Sequence, residues 1–318
     1  MSSTVWLIRG LGSIKQAVSF MKISGFLKNR ELVLGVLIVS LFALVAIAAP
    51  ILETPTGEDP YEIPQFGLAG DPEPPSPEHP LGLMQDKHDT LYGLIWGTRV
   101  AFRVGLIITI GRVLIGVVLG LLSGYYGGAL DVVLMRLTDA FLAFPAIAAT
   151  MLLLSATVDY WGIRLGEGDR AIVISLILFG WMQYSRLVRG NVLAERTKEY
   201  VTAARSIGVG APRIIFRHIL PNASNGLLVL IASDIGAMVV IVAALTFLGL
   251  AGDADIADWG MMLKHSRNWV IGAPSNAFQY WYSYIPPILA IVFFSIGWNL
   301  IGDGLRDYFD PRMRGVRS

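Results

Sequence analysis

Two opposite charges lie inside apolar stretches of this sequence, where ionisable side chains are costly and usually have a partner or a function. Arg112 lies near the middle of one apolar stretch, and Asp234 lies near the middle of another. Three arrangements would account for them: a structural ion pair between two helices, two groups that line a polar path, or unrelated groups that each face a wet cavity. The sequence leaves all three open.

A second set of residues that could do chemistry is the basic segment 200–223, YVTAARSIGVGAPRIIFRHILPNA. Gly208 is a suitable end for one helix, and Pro212 suits the first turn of another. We therefore predict a helix, a bend at 209–211 and a second short helix that runs to Pro221. Three uses are open: a helix lying on lipid headgroups, a loop folded onto the neighbouring helices, or a docking element for a soluble partner.

The motifs of several enzyme classes are missing from the sequence. It has no G-x-x-x-x-G-K-[ST] phosphate loop, no H-E-x-x-H zinc motif and no G-x-S-x-G nucleophile elbow. It has no cysteine, which excludes disulfides and thiolate metal sites. Its four histidines have no metal-binding spacing, although His79 and His88 share a loop with several carboxylates. We predict that this chain has no catalytic residue and binds no metal or cofactor.

The elements that must position these groups are membrane helices. The sequence is 54% hydrophobic and 15% charged, whereas a soluble domain carries about 25% charged residues. A spanning helix needs about 20 apolar residues. The candidate spans are Leu32–Leu52, Val100–Gly124, Asp131–Val158, Ala171–Val188, Ser224–Leu250 and Ile285–Gly302. We predict an all-α polytopic membrane protein with six transmembrane helices, and we interpret the polar, Pro-broken stretch Trp269–Tyr284 as a surface loop.

Three glycines recur at intervals of four residues in the second span, at Gly116, Gly120 and Gly124. Glycines at this spacing allow another helix to approach closely in lipid. General enrichment of glycine in membrane helices is the alternative explanation. Both explanations concern packing and neither concerns chemistry.

The distribution of Lys and Arg predicts the orientation in the membrane. Six spans place both termini on one side, and segments 1–30, 190–222 and 304–318 on that side hold 14 Lys and Arg, against 5 on the other side. We therefore predict that both termini are cytoplasmic. Ala46-Ile47-Ala48 resembles a signal-peptide cleavage site, but its apolar run of about 21 residues exceeds the 7–15 of a signal core. The first span is accordingly expected to be retained.

The predicted layout has five parts. They are a cytoplasmic leader over 1–30, a first transmembrane helix over 31–52, a Pro-rich, acidic extracytoplasmic loop over 53–98, a five-helix core over 99–305 that contains the cytoplasmic loop 190–222, and a cytoplasmic tail over 306–318. The leader suits an amphipathic helix on the membrane surface.

The basic segment resembles the EAA loop of ABC importer permeases. The matching residues are Ala203-Ala204, Gly208 four residues later, and Leu220-Pro221 thirteen residues from the glycine. Thr202 stands where the family has Glu, and His218 stands where it has Ile. The form Arg217–Asn222 is similar to the dipeptide/oligopeptide branch of the family.

Other stretches resemble the same branch. They are Gly124–Gly128, Asp131, Met135-Arg136, Asp139, Leu142–Pro145, Phe247–Leu250, Trp259–Leu263, Gly302–Asp307 and Asp310–Arg312. The resemblance covers about 80–318 and matches the C-type subunit of the permease pair. Two departures concern the outer loop, at 83–89, and the fifth span, where Val242 replaces a usual Glu. They leave the ligand open.

The resemblance implies a type I ABC importer permease fold (MetI-like) in the plasma membrane of a bacterium or an archaeon. It implies four kinds of partner: a homologous B-type permease subunit, two cytoplasmic ATPase subunits that hold ATP and Mg, an extracytoplasmic solute-binding protein, and membrane lipid. Nucleic acid is not among them. The implied solutes are dipeptides or oligopeptides, with oligosaccharides and nickel chelates as alternatives.

The resemblance also implies which residues contact an ATPase. They are Thr202, Ala203, Ala204, Arg205, Gly208 and Arg213. Arg213 could face lipid instead, as could Arg217. The rival functions are an ion-coupled secondary carrier or channel, a membrane-embedded enzyme without a visible acid/base cluster, and a purely structural assembly subunit.

Overall fold

The computed structural model describes residues 29–68, 70–159, 169–224, 226–250, 255–271 and 278–309. The predicted leader, except its last two residues, and the Asp310–Arg312 motif lie outside these ranges. Within them the regular structure is helical, and strand-like pairing is limited to isolated bridges, such as Glu62 with Ile256.

Twelve α-helices follow one another in the described ranges. They are α1 (Arg30–Leu52), α2 (Thr90–Tyr126), α3 (Gly128–Leu142), α4 (Ala146–Asp159), α5 (Asp169–Leu178), α6 (Met182–Glu195), α7 (Glu199–Ser206), α8 (Ala211–Ile214), α9 (Leu220–Ala223), α10 (Leu227–Phe247), α11 (Trp259–Ile271) and α12 (Trp281–Phe309). Five helices are long and apolar enough to cross a membrane: α1, α2, α10, α12 and the nearly continuous α5–α6. The pair α3–α4 makes a sixth span when counted as one. The predicted all-α fold with six spans is confirmed on this count.

The third span differs from the continuous helix predicted over Asp131–Val158. Helices α3 and α4 meet at an angle of 78°. The break falls at 143–145, where Pro145 has no N–H to donate and disfavours helical geometry in the residue before it. The span is therefore bent or re-entrant.

Helix α2 begins ten residues before the apolar run that predicts it. Asp89 caps its first turn, because the side-chain carboxylate accepts the N–H of Tyr92 at 2.9 Å. Tyr92 and Trp96 are buried in this added part of the helix. Polar capping and aromatic burial extend the helix beyond the stretch that hydropathy alone detects.

The interpretation of Trp269–Tyr284 as a surface loop is wrong at both ends of that stretch. Helix α11 runs to Ile271, and α12 begins at Trp281. Tyr282 and Tyr284 are buried. Pro286 and Pro287 lie in the second turn of α12, beyond the four residues whose N–H groups have no acceptor within the helix, so each removes one backbone hydrogen bond.

Residues 53–89 pack against α11 and α12. The backbone N–H of Ile63 donates to Asp255 O at 2.7 Å, and the N–H of Ala257 donates to Tyr61 O at the same distance. The Tyr282 hydroxyl donates to Pro72 O at 3.2 Å. These bonds order a Pro-rich segment that forms no regular strand or long helix.

Helices α2 and α6 pack with almost no space between their backbones. A Cβ placed at Gly116 would lie 2.4 Å from the Cβ of Tyr184, and one at Gly120 would lie 2.6 Å from Ser185 O. A Cβ at Gly124 would lie 2.7 Å from the Cβ of Val192. Of the two explanations left open for these glycines, the structure shows the close approach of another helix, and the partner is α6.

Candidate functional site

The basic segment folds as the sequence predicts, into a helix, a bend and a second short helix. Helix α7 ends at Ser206, and Gly208 has φ of +79°, which L side chains rarely adopt. The N–H of Gly208 donates to Arg205 O, and the N–H of Val209 donates to Ala204 O, each at 3.0 Å. Helix α8 then begins with Pro212 in its first turn. A π turn at Ile215–Ile219 leads into α9.

The inner side of the segment is apolar and buried. It packs in one cluster against α2 and α6. The buried residues that this segment contributes are Val201, Ala204, Ile214, Ile215, Ile219 and Ala223. Ala204 is only 8% exposed, so its methyl group faces the chain itself. The segment is therefore folded onto the end of the helix bundle.

The other side of the segment is exposed and carries most of the predicted contact residues. Thr202, Ala203, Arg205, Gly208 and Arg213 are all exposed. Two large apolar side chains that the sequence analysis did not select lie beside them: Ile207 is 81% exposed and Phe216 is 66% exposed. We call these seven residues the exposed face of the segment.

Polar contacts attach the segment, and the residues just before it, to the ends of α2 and α6. The Arg205 guanidinium lies 5.2 Å from the ring centroid of Tyr125, a cation–π geometry. Arg196 Nη1 donates to Gly124 O at 2.8 Å, at the end of α2. Tyr200 donates its hydroxyl to Glu195. Burial and the Glu195 carboxylate raise the pKa of Tyr200 to about 12, so this hydroxyl keeps its proton at neutral pH.

Two ion pairs attach α6 to α3. Arg189 Nε and Nη2 donate to the two carboxylate oxygens of Asp131 at 2.6 and 2.7 Å, and the Ser123 hydroxyl also donates to that carboxylate. Arg186 Nη2 lies 2.5 Å from Asp139 Oδ1. The sequence analysis noted both aspartates but missed both arginines. The available signal was that charged residues within or beside membrane spans usually need partners, and that both signs occur in consecutive spans.

The structure brings Arg112 and Asp234 together. Arg112 Nη1 donates to Asp234 Oδ1 at 3.0 Å, and both side chains are largely buried between α2 and α10. Arg112 Nε also donates to Leu176 O of α5 at 2.8 Å. The Tyr184 hydroxyl of α6 donates to Asp234 Oδ2 at 3.0 Å. We call Arg112, Asp234, Tyr184 and the Leu176 carbonyl the buried network. Sequence analysis missed the last two members.

The histidines of the described ranges form no metal cluster there. No group of three or more His, Cys, Asp or Glu that could hold a metal ion occurs among the described residues. His79 Nδ1 lies 2.7 Å from Asp89 Oδ2. His88 Nε2 lies 3.3 Å from Asp255 Oδ1, and its ring centroid lies 5.3 Å from that of His265.

The chain is similar to known proteins over most of its length. A family model described as "Binding-protein-dependent transport system inner membrane component" matches residues 116–315. The match includes the basic segment, Tyr184 and Asp234, whereas Arg112 lies four residues before it.

Three relatives align along nearly whole chains. "Dipeptide transport system permease protein DppC" of Alkalihalophilus pseudofirmus is 35% identical and covers 90% of this chain and 88% of its own. "Glutathione transport system permease protein GsiD" of Pectobacterium atrosepticum is 34% identical, covering 91% and 89%. "Oligopeptide transport system permease protein OppC" of Bacillus subtilis is 31% identical, covering 91% and 88%.

Proposed function

The chain belongs to the binding-protein-dependent transport system inner membrane component family, and from this membership we propose that it is the transmembrane permease subunit of an ATP-driven ABC importer. In this proposal the chain forms half of a translocation path, and a homologous B-type permease subunit forms the other half. A solute-binding protein delivers the solute from outside. Two cytoplasmic ATPase subunits bind ATP and Mg and perform the hydrolysis, so this chain is not itself an enzyme.

The observation that carries the proposal is the two-sided construction of the basic segment. The sequence has no phosphate loop, so energy from ATP must reach this chain by contact with another protein. The exposed face is suited to such a contact, since it combines small residues, two arginines and two exposed apolar side chains. The buried side, through Val201, Ile214 and Ile219, fixes the segment to α2 and α6.

The anchoring matters because the contact has to change the conformation of the helices. Moving a two-state permease from mostly inward-facing to mostly outward-facing requires about 5.5 kcal/mol of bias. A mobile loop would absorb a displacement locally. The contacts of Arg196 with the end of α2 and of Tyr200 with Glu195 suit a segment that moves with its helices. We therefore propose that the exposed face docks on an ATPase subunit and that Ala204 supports it from behind.

The test is a pair of substitutions on exposed alanines. Ala203→Asp places a charge on the exposed face, whereas Ala194→Asp places the same charge on an exposed position of α6 outside that face. We expect Ala203→Asp to reach the membrane but to retain fewer ATPase subunits on purification through a tag on this chain. Ala194→Asp should retain them. Equal retention by both variants would contradict the docking assignment.

The solute that we propose is a dipeptide or an oligopeptide. The printed names of the three relatives refer to dipeptide, glutathione and oligopeptide transport. Mass spectrometry of the ligand retained by the copurified binding protein would test this assignment, and an oligosaccharide or a nickel chelate would refute it. Purification of the complex also tests the rival function, because an ion-coupled carrier would bring down no ATPase subunit.

A further inference from the structure

The span formed by α5 and α6 is interrupted near its middle, at residues 179–181. The N–H of Gly180 donates to Ile177 O, three residues back, at 3.4 Å. Gly180 therefore does not make the regular i to i−4 bond of an α-helix to Leu176 O. A carbonyl freed in this way inside a membrane needs another donor.

Arg112 of α2 supplies that donor. Its Nε bonds to Leu176 O at 2.8 Å, and its Nη1 bonds to Asp234 of α10 at 3.0 Å. The side chain fits only because residue 180 is glycine, since a Cβ there would lie 2.0 Å from Arg112 Nε. Gly180 at the break therefore leaves the space that the Arg112 side chain occupies.

The buried network joins the two halves of the interrupted span to different neighbours. Leu176 belongs to α5 and Tyr184 to α6, and both meet on the Arg112–Asp234 pair. Arg196, the residue after α6, holds the end of α2, and only residues 196–199 separate α6 from the basic segment. A displacement of the basic segment therefore moves α6 first. How far α5 moves with it depends on the stiffness of the break between the two helices.

Two buried hydroxyls close to the network in sequence have no hydrogen-bond partner in this arrangement. Four hydroxyl groups of the described residues are buried without a hydrogen-bond partner, and those of Thr109 and Ser185 are two of them. Thr109 precedes Arg112 by three residues on α2, and Ser185 follows Tyr184 on α6. Unpaired buried hydroxyls are unfavourable, so an arrangement that pairs them can compete with the one in this structure.

We propose that Arg112 is a positioning residue for transport: with Asp234 and Tyr184 it holds the α5–α6 break in one of two arrangements, and it changes partners when the basic segment displaces α6. The inference rests on the proposed ATP-driven transport. It gives the buried ion pair a conformational role, distinct from contact with solute and from simple attachment of two helices.

The test measures the two arrangements directly. The sequence has no cysteine, so spin labels can be placed on Ile174→Cys of α5 and Gly190→Cys of α6 without other changes to this chain. Both positions are exposed. The distance between labels is measured in the complex purified through a tag on this chain, first without nucleotide and then with ATP trapped by vanadate. The wild type should give two distances whose populations change with nucleotide.

Two variants distinguish a role of Arg112 in positioning the α5–α6 break from a role in merely holding two helices together. Arg112→Lys keeps a cation beside Asp234 but loses the fork that also reaches Leu176 O. The double variant Arg112→Gln/Asp234→Asn removes both charges and leaves no unpaired ion. In each, the ratio of the two populations without nucleotide should change by about tenfold, within the usual range of coupling between two-state elements. Arg186→Gln, which removes an exposed ion pair of α6, should behave as the wild type.

Three results would overturn the inference. One is a wild-type distance that does not change with nucleotide, and another is an unchanged ratio in both intact variants. The third is failure of both variants to assemble, which would make the network a folding requirement. A wild-type complex without ATPase subunits would instead refute the proposed function itself.

Discussion

Gly208 and Gly210 are exposed glycines two positions apart, and the backbone places different demands on them. Gly208 has φ of +79°, whereas Gly210 has φ of −64°. No atom lies within 4 Å of a Cβ built at either position. Gly208 is therefore required by the conformation of the bend and not by contacts within this chain. The bend therefore depends on glycine at residue 208, whereas the backbone at residue 210 does not require glycine.

We predict that Gly208→Ala destabilises the bend by about 1 kcal/mol, the usual cost of a left-handed conformation for a residue with a Cβ. Gly210→Ala should be close to neutral, since its backbone conformation is ordinary. Limited proteolysis within 205–212 should therefore be faster in the first variant only. Equal cleavage of both variants would mean that strain at Gly208 does not control the bend.

Asp258 is a second residue with a specific structural task. It precedes α11, and its carboxylate accepts the N–H of Met261 at 2.9 Å and the hydroxyl of Thr246 at 3.0 Å. Complete burial raises the pKa of Asp258, against the lowering effect of these hydrogen bonds. Because the folded state favours the protonated acid, the stability from this group is present at low pH and falls as the pH rises above the unfolded value of about 4.

Asp258→Asn should remove this pH dependence, because the amide keeps an acceptor oxygen and does not ionise. We expect the melting temperature of the variant, relative to the wild type, to be higher at pH 8 than at pH 5. The comparison is made by thermal unfolding of the detergent-solubilised protein at both values. A difference that does not change with pH would show that the pKa of Asp258 in the folded protein lies below this interval.

At the scale of elements, the contact of α2 with α6 brings two helix backbones close together. Gly120 illustrates it, because a Cβ there would lie 2.6 Å from a backbone oxygen and 2.9 Å from the Cβ of Val188. Gly190 lies in the same interface helix, α6, but a Cβ there meets no atom within 4 Å. Close packing of backbones gives two helices a fixed register, which suits elements that must move together.

We predict that Gly120→Ala destabilises the protein by about 1–3 kcal/mol, the usual cost of overpacking. Gly190→Ala should instead be neutral or stabilising, because alanine is the better helix former and has free space there. Thermal unfolding of the two variants provides the measurement. A stable Gly120→Ala variant would show that α2 and α6 can separate at little cost.

At the scale of the whole molecule, the proposed orientation places residues 53–89 outside the cell and the basic segment inside. Leu68 and Ile207 are suitable reporters, since they are 91% and 81% exposed. Because the native chain has no cysteine, a membrane-impermeant maleimide should label Leu68→Cys in intact cells. It should label Ile207→Cys only after the membrane is permeabilised. The reverse pattern would invert the topology predicted from the Lys and Arg distribution.

Hydropathy and helix-ending residues were enough to predict the helical class and the bend at Gly208, whereas glycine spacing gave the close contact on α2 only as one of two explanations. They could not predict which helices are neighbours, so the partner of those glycines and the Tyr184 and Leu176 members of the buried network were missed. Spacing also could not show that Ala204 faces inward while Ala203 faces outward. Such details depend on tertiary packing, which local patterns do not encode.

The paired backbone bonds between 61–63 and 255–257 have a consequence for protein engineering. Two stretches nearly two hundred residues apart in the chain form one folded patch, and Tyr282 adds a third strip to it through Pro72. A chimaera between two relatives that exchanges only the first stretch would pair it with a second stretch from the other relative, whose side chains need not fit it. Residues 53–89 and 255–271 should therefore be transplanted together, as a single inherited unit.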